Sequence, residues 1–444
     1  MQNNKLVVIG LDCASPMLVE QWLDELPNIK KVASKGFRTT YRTCIPPITV
    51  PAWAVLLSGK DPGELGIYGF RNRVTNSYND IWIADATKVK EPRLWDMLDK
   101  QGRRSIVVGV PETFPAKKIN GVMLTSFLTP DLDANWAYPK EVGAKVLEKF
   151  GDYILDARGF RDDDKERIKE DCYALAKNRF DVATYLAQEE EWDFLMLVEM
   201  GVDRMHHAFW KYTDPTHKDF EEANQYKDVM KEYYKFVDKK IGELLKVLPE
   251  EATIVIMSDH GAKSMDGALC INEWLIQEGY LVLNKYPDKI SKFNELDVDW
   301  SKTKAWGWGG YYSRIFLNVK DREENGIIEP GGFEKERDEL KAKLEAITDD
   351  KGNKLSNFIP IPREIYKEVN GDPPDLMGFF GDLAWRAAGT VGHKKVHIFE
   401  NDTGPDDSVH DWTALFISNK SELKKPTTIF EASELLREVL HVEA

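Results

Sequence analysis

The residues best suited to chemistry stand where apolar runs stop. The segment Thr253-Ile254-Val255-Ile256-Met257-Ser258-Asp259-His260-Gly261 has the β-branched composition of a strand buried on both faces. It ends in a carboxylate, an imidazole and a glycine. Asp beside His offers two metal ligands from one turn, and Gly261 lets the chain leave without a side chain in the way. Alone, such an ending is more often a capped turn. Other apolar runs finish the same way, however. Leu6-Val7-Val8-Ile9-Gly10 leads to Asp12, and Phe194-Leu195-Met196-Leu197-Val198 leads to Asp203. A helical turn beginning at Asp203 puts His207 four residues on, on the same face, a spacing that suits one shared cation, while His206 points elsewhere. Near the end, the turn around Gly404-Pro405 delivers His410 ahead of Thr413-Ala414-Leu415-Phe416-Ile417. His410 is preferred to His393, which lies in a lysine-bearing stretch. Thr49 precedes a helix that Pro51 opens and Gly59 closes. A hydroxyl there faces free amides and the positive end of the dipole, both of which favour a phosphate and an ionised threonine oxygen; the simpler role for an isolated threonine is an N-cap.

Asp12, Asp203, His207, Asp259, His260 and His410 are too many strong donors for one four-coordinate zinc with an open position, and they divide naturally between two cations. Three carboxylates against two divalent ions leave a net charge of about plus one, enough to draw an anionic phosphate to the site. Without metal the same carboxylates would repel it.

The elements that must position these residues are buried strands alternating with helices, the pattern of an α/β fold with a parallel sheet, whose ligands gather at the carboxyl edge. Ser105-Ile106-Val107-Val108-Gly109-Val110 reads as another buried strand. Helices are expected after Asp12, with a stop at Lys35-Gly36 and a left-handed glycine cap, from Pro92 to near Gly102, and from Pro139 to Gly151. Asp162 to Arg179 reads as a solvated helix face, and long charged helices fill Lys218 to Val247. Asp61 to Asp80, with Arg71 and Arg73, reads as a loop whose role is not assigned. Residues 281–390 are the candidate for an inserted cap or substrate subdomain, leaving 1–280 and 391–444 as the core. Its aromatics, among them Trp300, Trp306 and Trp308, suit core packing better than substrate stacking.

Composition narrows the partners. A net charge of -15 argues against binding a nucleic-acid duplex. Cys13, Cys44, Cys172 and Cys270 show no CxxC spacing, which fits a reduced, cytoplasmic compartment. The opening Met1-Gln2-Asn3-Asn4-Lys5 is unlike a signal peptide, and no apolar run is long enough to span a membrane.

The order Asp12, Thr49, Asp203 with His207, Asp259-His260-Gly261 and His410 resembles the alkaline phosphatase superfamily, and within it the type I phosphodiesterase/nucleotide pyrophosphatase branch and its phosphohydrolase or phosphomutase relatives. The resemblance implies a three-layer αβα sandwich with a mostly parallel central sheet and a smaller inserted cap. It implies that Asp12, Asp259 and His260 bind one metal, with Thr49 as the substrate-side ligand and nucleophile, and that Asp203, His207 and His410 bind the other. Zinc is favoured by the imidazoles, and manganese is also accepted by such mixed sites. The implied activity is hydrolysis of a small phosphodiester or pyrophosphate through a covalent phosphothreonine. Monoesterases and mutases of the superfamily typically use serine, so that activity is the alternative within enzymes, and a metal-binding protein without turnover is the alternative outside them. The context Thr49-Val50-Pro51-Ala52-Trp53 departs from that of sulfatases. His206 stands where nucleotide-cleaving members usually carry glycine, a departure that bears on nucleotide specificity rather than on metal binding.

Overall fold

A computed structural model describes residues 5–443. The opening segment Met1-Gln2-Asn3-Asn4 lies outside the described residues. The chain divides into two compact units, one of Met1–Leu65, Ala84–Ala262 and His410–Ala444, the other of Gly66–Ile83 and Lys263–Val409. Composition alone drew the insertion at 281–390.

The first unit is built on an eight-stranded sheet. Its spatial order is Phe37–Arg42, Thr413–Ser418, Thr253–Met257, Leu6–Leu11, Phe194–Glu199, Ser105–Val108, Gly121–Leu124 and Ala137–Tyr138. The five strands from Thr253–Met257 to Gly121–Leu124 run parallel, and the outer pairings on both sides are antiparallel. All six residues of Leu6–Leu11 and of Phe194–Glu199 are buried, which is why these strands read as unbroken apolar runs rather than alternating ones. Helices flank the sheet, giving a layered α/β architecture with a mostly parallel centre.

Register decides where the chemistry falls. Leu11 pairs with Glu199, and Gly10 pairs with both Val198 and Met257. The chain therefore leaves three neighbouring strands at nearly the same height, and Asp12, Asp203 and Asp259 follow within a few residues. A slip of one residue in any of these pairings would send the following carboxylate to the other face.

Several sequence expectations change on contact with the structure. Gly36 ends the helix Pro27–Lys35 with φ -140°, outside the left-handed region. Glycine is required there by space, because a Cβ would lie 2.3 Å from the Ser418 carbonyl oxygen. The charged stretch from Asp162 belongs to the helix Lys165–Glu189, which is not a solvated face throughout: Ile168, Cys172, Leu175 and Arg179 are buried along one side. Of the expected helices between Lys218 and Val247, only Val229–Leu245 forms. Gly59 and Gly151 do end their helices in the left-handed conformation, at φ 76° and 78°.

In the second unit, Ala305–Trp308, Ser313–Leu317 and Leu376–Gly378 form an antiparallel three-stranded sheet. Tyr78 stacks on Trp300 at 3.6 Å and meets Trp306 edge-on at 5.1 Å, so these aromatics pack the unit's own core. Arg73 is consumed in the same way, paired with Glu323 at 3.0 Å and lying over Trp306. The Asp61 to Asp80 stretch is thus not all loop, since Arg71–Arg73 and Ile81–Ile83 form a hairpin. Among the described residues no helix is long and apolar enough to cross a membrane.

Candidate metal centre

All seven residues singled out from sequence lie in the first unit, and each is at most 2% exposed. The donor atoms of Asp12, Asp259 and His260 lie within 4.8 Å of one another, and so do those of Asp203, His207 and His410. Three carboxylates and three imidazoles brought together without water contact form a donor set that fits divalent cations. Two of the inward oxygens, Asp203 Oδ1 and Asp259 Oδ2, accept no hydrogen bond. Buried acceptors left this way are costly unless a cation meets them.

The first group is held from the sheet edge. Trp53 Nε1 donates to Asp12 Oδ2 at 2.7 Å, leaving Oδ1 turned to Thr49 Oγ1 at 3.5 Å. Trp53 reaches Asp12 because Gly10 offers no side chain: a Cβ there would sit 2.6 Å from the indole. The Cys13 backbone amide donates to Asp259 Oδ1 at 3.1 Å, while Asp259 Oδ2 lies 3.1 Å from His260 Nε2. His260 Nδ1 is 3.1 Å from the Gly261 carbonyl, so Nδ1 carries the proton and Nε2 presents its lone pair inward. Gly261 is glycine because the Thr413 carbonyl passes 2.3 Å from where a Cβ would be.

The second group rides on the helix Gly201–Thr213, whose start is fixed by Glu199: its carboxylate accepts from the Gly201 and Val202 amides at 2.6 and 3.0 Å. Asp203 falls in the first turn and His207 one turn later, with Asp203 Oδ1 3.3 Å from His207 Nε2 and 3.7 Å from His410 Nε2. His410 Nδ1 donates to the Pro47 carbonyl at 2.7 Å, again leaving Nε2 directed inward. The rings of His260 and His410 stack at 3.8 Å and so join the two groups. His206 points away, as its place on the helix requires, to Tyr234 Oη at 3.0 Å.

Thr49 is the first residue of the helix Thr49–Ser58, one position further in than an N-cap, and its Oγ1 lies 3.4 Å from His260 Nε2. The hydroxyl therefore stands at the positive end of a helix and beside members of the first group.

The electrostatics carry the mark of crowded negative charge. Burial, then the Asp259 and Asp203 carboxylates, raise the Asp12 carboxyl well above its ordinary range. Burial likewise lifts Asp259 to about 6, against the pull of the His260 imidazole. Asp203 goes the other way: burial would raise it, but His207, Arg204 and His410 hold it well below the usual carboxylate range. His410 is held well below the usual imidazole range, first by burial and then by His260. A cation in each group would lower the carboxyls and keep the imidazoles neutral.

Arg204, Trp53, Glu199 and Asp156 were not foreseen. Arg204 donates from Nη1 to Asp203 Oδ2 at 2.5 Å and grips Asp156 through Nε and Nη2 at 3.1 and 3.0 Å. Trp53 had a usable signal, being one helical turn beyond Thr49. Asp156 had none, since its contact is long-range.

The sheet, with its Asp/His edge facing a hydroxyl at a helix start, defines a phosphoric ester hydrolase of alkaline-phosphatase-like fold. The chain belongs to the type I phosphodiesterase / nucleotide pyrophosphatase family, whose profile matches residues 6–406. Members of this family are metalloenzymes. Phosphonoacetate hydrolase from Sinorhizobium meliloti 1021, solved with phosphonoformate, is similar in structure with a TM-score of 0.64 and 15% identity, covering 100% of this chain and 96% of that one. Human ectonucleotide pyrophosphatase / phosphodiesterase 5 is similar with a TM-score of 0.56 and 13% identity, covering 99% and 96%. Its murine counterpart, in an inactive form with AMP, gives 0.55 and 12%, again covering 99% and 96%. No curated protein matches the chain.

Proposed function

We propose that the protein hydrolyses phosphodiester or pyrophosphate bonds through a covalent phosphothreonine at Thr49, with two divalent cations. Asp12, Asp259 and His260 would hold one cation and Asp203, His207 and His410 the other. The observation that carries the reading is the position of Thr49 Oγ1, at a helix N-terminus and 3.5 and 3.4 Å from Asp12 Oδ1 and His260 Nε2. Such cations, when bound, lower the pKa of the attacking hydroxyl and neutralise the departing oxygen. The Thr49 oxygen forms its bond to phosphorus as the bond to the leaving oxygen breaks, and the free amides of the helix start take up charge on the phosphoryl oxygens. Water then cleaves the phosphothreonine and restores the hydroxyl. Trp53 and the Cys13 amide keep Asp12 and Asp259 oriented throughout.

Zinc is the preferred ion because three imidazoles contribute, and manganese the second choice. Acid quenching during turnover, followed by mass spectrometry, should find phosphate on Thr49 of the metal-loaded protein. Its absence at every time point, with turnover intact, would end the covalent scheme. Comparing bis-nitrophenyl phosphate with nitrophenyl phosphate separates the diesterase from a monoesterase or mutase, and phosphonoacetate serves as a third substrate because one structural neighbour hydrolyses it. Preference for the monoester would overturn the diesterase assignment.

A further inference from the structure

We infer that Cys13 gives this centre a third donor set, in which its Sγ and one ring nitrogen each of His260 and His410 bind a soft cation such as cadmium or copper(I). The donor atoms of these three buried residues lie within 4.8 Å of one another. Zinc, with sulfur at about 2.3 Å and nitrogen at about 2.0 Å, sets donor separations of roughly 3.5 Å, and the larger cadmium ion sets longer ones, so the three donor atoms need close up only modestly. The two imidazoles are already parallel, their rings stacked at 3.8 Å.

The thiol is directed inward by the backbone. Cys13 has φ 63°, a left-handed conformation that residues with a Cβ seldom adopt, and its amide is pinned to Asp259 Oδ1 at 3.1 Å. Its Sγ lies 3.4 Å from the Gly261 carbonyl, beside the residue that follows His260. A thiolate among carboxylates and imidazoles changes which ions the centre prefers, because sulfur selects soft cations that oxygen ligands bind poorly. As the sulfur–metal bond forms, the thiol proton passes to solvent, and no oxidation state changes. In the two-cation reading His260 and His410 serve different ions, so one soft cation here withdraws a ligand from each. That exclusivity rests on the proposed function; the donor set itself does not.

The test is titration of the chelator-stripped protein with cadmium chloride, followed by the ultraviolet thiolate-to-cadmium charge-transfer absorption. The band should saturate at a single equivalent and vanish in Cys13→Ser and in Cys13→Gly, the second of which also removes the Cβ from a left-handed position. A band absent from the parent, or retained in either variant, overturns the inference. Zinc-restored turnover of bis-nitrophenyl phosphate is measured on the same stripped sample. Turnover without the band defeats this inference alone; the band with no zinc-restored turnover of bis-nitrophenyl phosphate, nitrophenyl phosphate or phosphonoacetate supports it and defeats the proposed function alone.

Discussion

Replacing Arg204 with methionine removes the cation that links Asp203 to Asp156. The arginine is 5% exposed and Asp203 1%, and the guanidinium makes three hydrogen bonds of 2.5 to 3.1 Å to the two carboxylates. Methionine keeps an apolar stem near Phe160 and Phe127, over which the guanidinium lies at 4.5 and 5.5 Å, but leaves both carboxylates without their partner. Removing one member of a buried pair costs about 3–5 kcal/mol. The Asp156 side chain is 17% exposed and regains some water, so the metal-free variant should lose stability near the lower end, about 3 kcal/mol. Zinc should widen that deficit, because a variant that binds the ion more weakly gains less stability from it. Affinity of the second group for zinc should fall about 10–100-fold, since Arg204 holds Asp203 so that one oxygen is presented. Urea denaturation with and without zinc, with calorimetric zinc titration, reads both quantities. Arg204→Lys should fall between the parent and Arg204→Met, because an ammonium keeps the charge and loses the fork. If Arg204→Met equals the parent in metal-free stability and in both zinc affinities, the positioning role is wrong.

Four further outcomes follow from the same geometry. Thr49→Ala should lower turnover by at least about a thousandfold while zinc content is kept, and Thr49→Ser should retain part of it; equal rates for alanine and parent would remove the nucleophile. Gly10→Ala should cost about 1–3 kcal/mol and loosen Asp12, because the new Cβ collides with Trp53, and a denaturation curve identical to the parent's would show that the indole can move aside. Burial pushes the Glu112 carboxyl up to about 8, against the nearby Arg93. The folded state then holds a proton that the unfolded chain releases above its ordinary value, so this contribution is complete at low pH and fades as pH rises towards 8. Glu112→Gln should flatten that decline by up to about 5 kcal/mol in unfolding free energies measured by denaturation across the range, and parallel profiles would refute it. Chelation should lower stability by about 4 kcal/mol for each ion previously held at a thousand times its Kd, read as a fall in melting temperature that zinc reverses.

The parts of the fold legible in the sequence were those governed by local pattern. Leu6–Leu11, Phe194–Glu199 and Thr253–Met257 announced themselves because a strand buried on both faces has no polar residue until it ends. Asp203 and His207 were readable as a pair from helical spacing, and the helix after Thr49 from Pro51 and Gly59. What stayed hidden depends on partners distant in the chain. Nothing near Asp156 signals Arg204, and Gly10 looks like any strand glycine until Trp53 is laid over it. Arg179 sits in a run of charges yet is fully buried among carbonyls of Ile154 and Leu155 and the Tyr153 hydroxyl. The second unit escaped a sequence boundary because Gly66–Ile83 joins it from far upstream, through contacts such as Arg73 with Glu323.

The strand Thr413–Ser418 lies between Phe37–Arg42 and Thr253–Met257, not at a border of the sheet. During synthesis, Phe37–Arg42 must therefore wait, edge unsatisfied, until a segment made more than three hundred residues later slots into the gap. The same late arrival brings His410 to its neighbours. A nascent or truncated chain lacking that strand has neither the completed sheet nor the full Asp/His cluster, so the protein gathers His410 to Asp203 and finishes its architecture in one event.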